Sequence, residues 1–90
     1  NPEAIADYSK IIEQDPRAYS VFYRRAQVNL ANGSPKDALS DINKAIYHFR
    51  GYNPKNYYLL RAKIYSQLGQ NDKAVKDKTK FAEKKKRKRH

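Results

Sequence analysis

The apolar residues of this chain recur every three or four positions, the spacing that places side chains on one face of an α-helix. This pattern predicts five helices, at residues 2–12, 19–31, 36–49, 56–68 and 73–85. In the first helix the apolar face consists of Ala4, Ile5, Tyr8, Ile11 and Ile12. Strand patterns are weak, so the sequence predicts an all-α fold.

Short turns separate the predicted helices. In "NGSP" at residues 32–35, Gly33 permits a left-handed backbone, Ser34 is a candidate N-cap and Pro35 suits a first helical turn. The other turn signals, rich in Gly, Pro, Asn or Asp, are Asp15-Pro16, residues 50–54, Gly69 and residues 71–72.

Two internal alignments show that the helices repeat. The segment "FYRRAQVNLANGSPKDAL" aligns with "YLLRAKIYSQLGQNDKAV", so that Arg25 matches Arg61 at a separation of 36 residues. The segment "EAIADYSKII" aligns with "DALSDINKAI", so that Asp7 matches Asp41 at a separation of 34 residues. A fixed period of this length is the signature of a repeat architecture. The matched Arg and Asp residues, with Asp77 continuing the Asp series, are expected to pair across helix contacts.

A helix-turn-helix unit of about 34 residues is typical of the tetratricopeptide repeat, and the chain resembles this family over nearly its whole length. The positions that carry the resemblance are aromatic, small, turn or closing-proline sites: Phe22, Tyr58, Ala26, Ala62, Tyr65, Gly33, Gly69, Ala4, Ala38, Ala74, Tyr8, Ile42 and Pro16. The resemblance implies a right-handed α-solenoid of about five helices, comprising the second helix of one repeat followed by two repeats.

Three features depart from the family pattern. Asn29 replaces the usual Tyr, the connector "HFRGYNPK" is two residues longer than expected, and Lys78 stands where a large apolar residue is usual. Terminal solenoid helices need a polar outer face, so Lys78 predicts that the fifth helix caps the array. This helix has few apolar residues to bury: Ala74, Val75, Phe81 and Ala82.

The predicted domain organisation follows from the character of the first and the fifth helix. The first helix lacks a partner for part of its apolar face, which predicts that further repeats precede Asn1. We expect residues 1–83 to form a tetratricopeptide-repeat solenoid and residues 84–90 to form a basic tail.

The formal net charge of +11 is concentrated near the C-terminus. Residues 76–90 hold nine Lys or Arg against two acidic residues, whereas residues 1–75 hold eleven against seven. The cationic residues of the basic tail are Lys84, Lys85, Lys86, Arg87, Lys88 and Arg89. Such a run is a candidate nuclear import signal, a nonspecific contact to nucleic acid or another polyanion, or a solvating end. The import-signal reading implies an import receptor as partner.

The resemblance implies a noncatalytic protein-interaction scaffold whose concave groove is lined by the first helix of each pair. The residues expected there are Ser20, Tyr23, Arg24, Gln27, Asn56, Leu60 and Lys63. Arg24 and Lys63 suit a carboxylate of a partner peptide, and Tyr23 and Leu60 offer apolar contact. The alternative function is a nucleic-acid-associated or polyanion-associated module driven by the basic tail.

Chaperone-binding members of the family grip an acidic C-terminus with a Lys and an Arg four residues apart. Arg24 fits the Arg site within "FYRRA", but Ser20 stands where the Lys belongs. The clamp is incomplete, so a chaperone C-terminus is one candidate partner but not the favoured one, and a protein or peptide with an acidic segment is another.

Other chemistry is sparse in the sequence. It has no Cys, only two His, and neither a Gly-rich phosphate loop nor metal-ligand spacing, so we predict no enzymatic activity and no cofactor. The eight Tyr residues are mostly expected to pack between helices, with Tyr52, Tyr57 and Tyr19 exposed. No apolar run approaches the length of a membrane span, and we expect an intracellular protein of the cytoplasm, the nucleus or both.

Overall fold

The computed structural model describes the backbone of residues 2–88 and the side chains of residues 2–80. The described residues form five helices: α1 (Pro2–Gln14), α2 (Tyr19–Ala31), α3 (Pro35–His48), α4 (Lys55–Gln67) and α5 (Asn71–Lys88). The predicted all-α class is confirmed, and the helix bounds lie close to those that the apolar periodicity indicates.

The helices pack in sequential pairs. α2 packs along α3 and α4 packs along α5, while α1 lies against α2 and α3 lies against α4. This arrangement is consistent with stacked helix pairs of the tetratricopeptide type. The buried core lies between α2, α3 and α4 and comprises Phe22, Ala26, Ala38, Ile42, Ala45 and Ile64. Because Ala predominates at these contacts, the helix backbones can approach closely.

The turns inside the two pairs share one geometry. Gly33 and Gly69 have positive φ angles of 81° and 78°. The amide of Ser34 donates to the Asn29 carbonyl at 2.8 Å, and the amide of Gln70 donates to the Tyr65 carbonyl at 2.8 Å. These bonds form a Schellman motif, in which a left-handed residue satisfies the free carbonyls at a helix end.

One detail of the first turn differs from the sequence prediction. Pro35 occupies the start of α3 as expected, but the described side chain of Ser34 makes no capping hydrogen bond. The Schellman motif already fixes the backbone of the turn. The turn therefore depends on Gly33 and not on the Ser34 hydroxyl.

The connectors before α2 and before α4 each contain an Asx-Pro turn, at the start of the first connector and at the end of the second. The Asp15 carboxylate accepts the Arg17 amide at 3.2 Å, and the Asn53 side chain accepts the Lys55 amide at 3.2 Å. In each turn the side chain of one residue accepts a hydrogen bond from the backbone amide two residues later. Such hydrogen bonds fix the direction of the chain before the next helix. The second connector is two residues longer, and this explains why the repeat period changes from 34 to 36.

The longer connector folds back on the core through Phe49. Its ring makes edge contacts with Tyr19 at 5.3 Å and Tyr57 at 5.0 Å between ring centroids. A Cβ atom at Gly51 would collide with the Phe49 ring, so Gly is required there for close approach. The prediction that Tyr19 and Tyr57 are exposed is therefore wrong, because the connector buries part of both rings.

Exposure on the outer surfaces confirms some expectations and corrects others. Tyr52 is fully exposed, as predicted. Tyr47 is 83% exposed and does not pack between helices. Val75, predicted to be buried, is 55% exposed. Phe81 and Ala82 lie outside the described side chains.

Each pair is joined by an ion pair at the same position. The Arg25 guanidinium donates to both oxygens of Asp41, from Nε at 3.0 Å and from Nη2 at 2.8 Å. Arg61 and Asp77 repeat this bidentate geometry at 2.9 and 3.0 Å. The expected pairing of Arg with Asp is confirmed, and both carboxylates are buried. The hydrogen bond to Asp77 is the main cause that raises the pKa of Arg61.

Candidate protein-interaction surface

The exposed side of α2 carries a row of residues spaced three or four apart. We call this row the α2 stripe, and it consists of Ser20, Arg24, Gln27 and Ala31, all of them exposed. The opposite side of the helix holds Phe22 and Ala26, which are 3% and 0% exposed. Because that side packs in the core, the rotation of α2 about its axis is fixed and the α2 stripe faces outward.

A matching row lies on α4. We call it the α4 stripe, and it consists of Asn56, Leu59, Lys63 and Gln67, all of them exposed. Ser20 and Asn56 occupy equivalent positions 36 residues apart, as do Gln27 and Lys63. Three of the four positions in each stripe are therefore equivalent, and α2 and α4 each carry an exposed row of side chains.

Five of the seven residues predicted to line the groove are exposed on these two helices: Ser20, Arg24, Gln27, Asn56 and Lys63. The other two, Tyr23 and Leu60, are half-buried and pack against the core. Leu59, which the sequence reasoning missed, is 41% exposed and supplies the apolar group of the α4 stripe. Leu59 lies 36 residues after Tyr23, which was predicted to line the groove, so the repeat spacing could have identified Leu59 as well.

A shallow depression of about 320 Å³ lies between α1 and α2. Its lining consists of Tyr8, Arg24, Gln27, Val28, Ala31 and Asn32. Only Arg24 and Gln27 were predicted from the sequence, because the contribution of α1 depends on how that helix packs on α2. The lining combines one cation, two side-chain amides and a phenol with apolar atoms, a mixture suited to a peptide carboxylate or backbone.

Tyr23 and Tyr57 join α2 to α4 beside this surface. Their rings stack at 4.5 Å with an interplanar angle of 7°. Burial raises the pKa of the Tyr57 phenol above its ordinary value of 10.0, the neighbouring phenols of Tyr19 and Tyr23 add to the effect, and the positive Arg24 opposes it. Arg24 therefore lies close enough to act electrostatically on the stack.

The described part of the chain gives no sign of a metal centre. Residues 2–80 contain no cluster of His, Cys, Asp or Glu that could hold a metal ion. His48 stacks on the core ring of Phe22 at 6.4 Å, which is a packing role. Its neighbour Tyr47 lies edge-on to it at 5.0 Å.

The described part of α5 is strongly basic on its outer surface. Lys73, Lys76, Lys78 and Lys80 are all exposed. The α5 backbone continues to Lys88, so the helix extends into the first residues of the predicted basic tail. The side chains of Lys84, Lys85, Lys86, Arg87 and Lys88, and all of Arg89, lie outside the described residues. Among the described helices, none is both long and apolar enough to cross a membrane.

Comparison with known proteins identifies one part of this arrangement. The sequence model of the tetratricopeptide repeat matches residues 56–79, which cover most of α4, the Gly69 turn and the first half of α5. No curated protein sequence matches the chain significantly. The chain thus contains a tetratricopeptide repeat at residues 56–79, and that motif implies a protein-interaction repeat with a protein partner.

Proposed function

We propose that this protein is a noncatalytic interaction scaffold that binds an extended peptide segment of a partner along the α2 and α4 stripes. The observation that supports the proposal is an exposed row of side chains on both α2 and α4, at mostly equivalent positions of the repeat, while the opposite side of each helix is buried. A peptide laid across both rows meets exposed side chains at equivalent positions one repeat apart, namely Ser20 and Asn56, Gln27 and Lys63, and Ala31 and Gln67.

Charge selects the class of peptide. Arg24 and Lys63 are exposed cations on the two helices, and Arg24 also lines the depression with Gln27 and Asn32. Side-chain amides bind peptide backbone, and a guanidinium binds a carboxylate through paired hydrogen bonds. The surface therefore suits a segment with at least one acidic side chain or a C-terminal carboxylate, with an apolar residue placed against Leu59.

The proposal is tested by comparing what three forms of the protein capture from a cell lysate, with mass spectrometry as readout. The forms are the intact chain, the Arg24→Ala/Lys63→Ala variant and the Arg17→Ala/Lys36→Ala variant. The last is a matched control, because it removes two exposed cations outside the stripes. We expect a discrete set of proteins to be lost only with Arg24→Ala/Lys63→Ala, and equal losses with both variants would contradict the proposal.

A second candidate function rests on α5. Between Asn71 and Lys88 the sequence has nine Lys or Arg against three acidic residues, on a helix whose described Lys side chains are exposed. A surface of this charge favours nonspecific contact with nucleic acid or another polyanion, or recognition by an import receptor. Binding of this kind weakens steeply with salt because counterions are released.

A chain truncated after Glu83 separates the two functions. If the tail drives binding, oligonucleotide affinity falls steeply between low and physiological salt in the intact chain and is absent after truncation. If the stripes drive binding, the truncated chain still captures the partners that Arg24→Ala/Lys63→Ala loses.

A further inference from the structure

Two tyrosine rings near the end of α3 take no part in the core. Six of the eight Tyr residues are partly buried, whereas Tyr47 is 83% exposed and Tyr52 is fully exposed. Tyr47 stands in the last turn of α3, and Tyr52 lies in the connector between α3 and α4. Five residues span at most about 18 Å, so one short ligand can reach both rings.

Positive charge lies beside these rings. Arg50 and Lys55 are exposed, and neither forms an ion pair with a carboxylate among the described residues. The sequence holds no Asp or Glu from residue 42 to residue 71, so no acidic residue close along the chain neutralises the two cations. They are therefore available to attract an anionic ligand. We call Tyr47, Arg50, Tyr52 and Lys55 the connector patch.

The backbone that carries the connector patch is anchored at both ends of the connector. Phe49 makes edge contacts with one tyrosine of α2 and one of α4, and Gly51 allows the chain to pass directly against the Phe49 ring. At the other end, the Asn53 side chain accepts the amide of Lys55 at 3.2 Å, where α4 begins. Because this backbone is already ordered, binding a ligand to the patch costs less conformational entropy than ordering a free loop would.

We propose that the connector patch binds a single-stranded nucleic acid, with bases stacked on Tyr47 and Tyr52 and phosphates held by Arg50 and Lys55. Ring and cation alternate along the patch, in the order Tyr, Arg, Tyr, Lys. A single strand supplies the complementary alternation of flat base and negative phosphate, and stacking on an aromatic ring accepts any base. A duplex keeps its base faces inside the stack, and an acidic peptide carries no ring beside each charge, so the single strand fits the patch best.

The connector patch shares no residue with the α2 stripe, the α4 stripe or α5, so its test is independent of both functions proposed above. Binding of a fluorescent oligouridine of about ten nucleotides to the intact chain is measured by anisotropy. Salt is kept at about 0.3 M, where the purely ionic contacts of the basic tail are weakened.

The tyrosine substitutions test stacking. We expect Tyr47→Ala/Tyr52→Ala to lower the affinity for oligouridine about tenfold or more, because both stacking platforms are removed. Tyr47→Phe/Tyr52→Phe keeps both rings and should retain the affinity within about twofold. Since both side chains are exposed, the urea midpoints of these variants should equal that of the parent.

Two controls separate stacking from charge. Inorganic polyphosphate has the charge but no bases, so it should bind the parent and the alanine variant equally. Arg50→Gln/Lys55→Gln should reduce the slope of log affinity for oligouridine against log salt by about 1.4, the value for two phosphate contacts to a single strand. Lys10→Gln/Lys36→Gln removes two exposed cations outside the patch and should reduce this slope less.

Several results would overturn the proposal. Equal oligouridine affinity of the parent and the alanine variant would show that the rings do not bind bases, and an equal loss in the phenylalanine variant would show that the hydroxyls matter and the stacking does not. A parallel loss of polyphosphate binding would reduce the effect to charge. Capture of a protein that depends on Tyr47 and Tyr52, with oligouridine binding unaffected, would assign the patch to a protein partner instead.

Discussion

At the scale of single residues, Asp41 and Asp77 occupy the same position in successive pairs but accept different numbers of hydrogen bonds. Asp41 accepts two from Arg25 and a third from the Asn29 side-chain amide at 3.0 Å. Asp77 accepts two from Arg61, because Tyr65 stands at the position equivalent to Asn29. The departure of Asn29 from the family pattern is therefore compensated within the core.

This difference predicts unequal costs of removing the two carboxylates. We expect Asp41→Ala to lower the free energy of unfolding by about 3 kcal/mol and Asp77→Ala by about 2 kcal/mol, because each leaves buried donors without an acceptor. Urea unfolding measures both values. Glu13→Ala, at an exposed site, is the control and should change stability by less than about 0.5 kcal/mol. Equal effects at Asp41 and Glu13 would refute the role of the ion pair.

The environment of Tyr57 predicts a loss of stability in alkali. Its pKa is raised above 10.0 mainly by burial, so the folded state favours the neutral phenol more than the unfolded state does. The resulting stabilisation is complete below pH 10.0 and is lost as the pH rises through the higher pKa of the folded protein. Urea midpoints measured across this range should fall less steeply in Tyr57→Phe than in the parent. Tyr52→Phe makes the same chemical change at a fully exposed site and should behave like the parent.

At the scale of elements, the two Schellman turns set the antiparallel packing of each pair. Gly33→Ala and Gly69→Ala are each expected to cost about 1 kcal/mol, because an L-residue is strained at positive φ. Apart from the two adjacent residues, no heavy atom lies within 4 Å of a Cβ built at either position, so the cost is one of backbone conformation. Thermal unfolding of the two Gly variants measures this cost. Ser34→Ala, which is expected to be nearly neutral, is the control. A neutral Gly33→Ala would show that the turn does not need the left-handed residue.

The helices and their turns could be predicted from the sequence because each depends on neighbours close along the chain. Apolar spacing located α2 to within its observed bounds, and Gly33 and Gly69 located the turns. The contacts of Tyr19 and Tyr57 could not be predicted in this way. They depend on Phe49 folding back from a connector two residues longer than the first, and no local pattern reports where such a ring will lie.

The candidate surface was predictable to a similar degree. The repeat offset places polar residues on one side of α2 and α4, and that is enough to find Arg24, Gln27 and Lys63. The depression also needs Tyr8 from α1 and Asn32 from the turn, whose approach depends on the angle between helices. The half-burial of Leu60 and the exposure of Leu59 likewise depend on the exact rotation of α4.

At the scale of the whole molecule, the helix pairs and the basic segment have different tasks in this account. The pairs present the α2 and α4 stripes, whereas α5 concentrates positive charge at one end. We expect truncation after Glu83 to change the free energy of unfolding by less than about 0.5 kcal/mol, because the buried core lies between α2, α3 and α4. Urea unfolding of both forms checks this, and a large loss would show that the tail is part of the folded domain.

The most direct test of the central claim is to map where a captured partner segment binds. Backbone amide chemical shifts would be recorded while the minimal peptide from the lysate experiment is added to the intact protein. The account predicts that the largest changes fall on Ser20, Arg24, Gln27, Asn56 and Lys63, with small changes along α5. Changes confined to α5 and the tail would contradict the claim that the stripes are the binding surface.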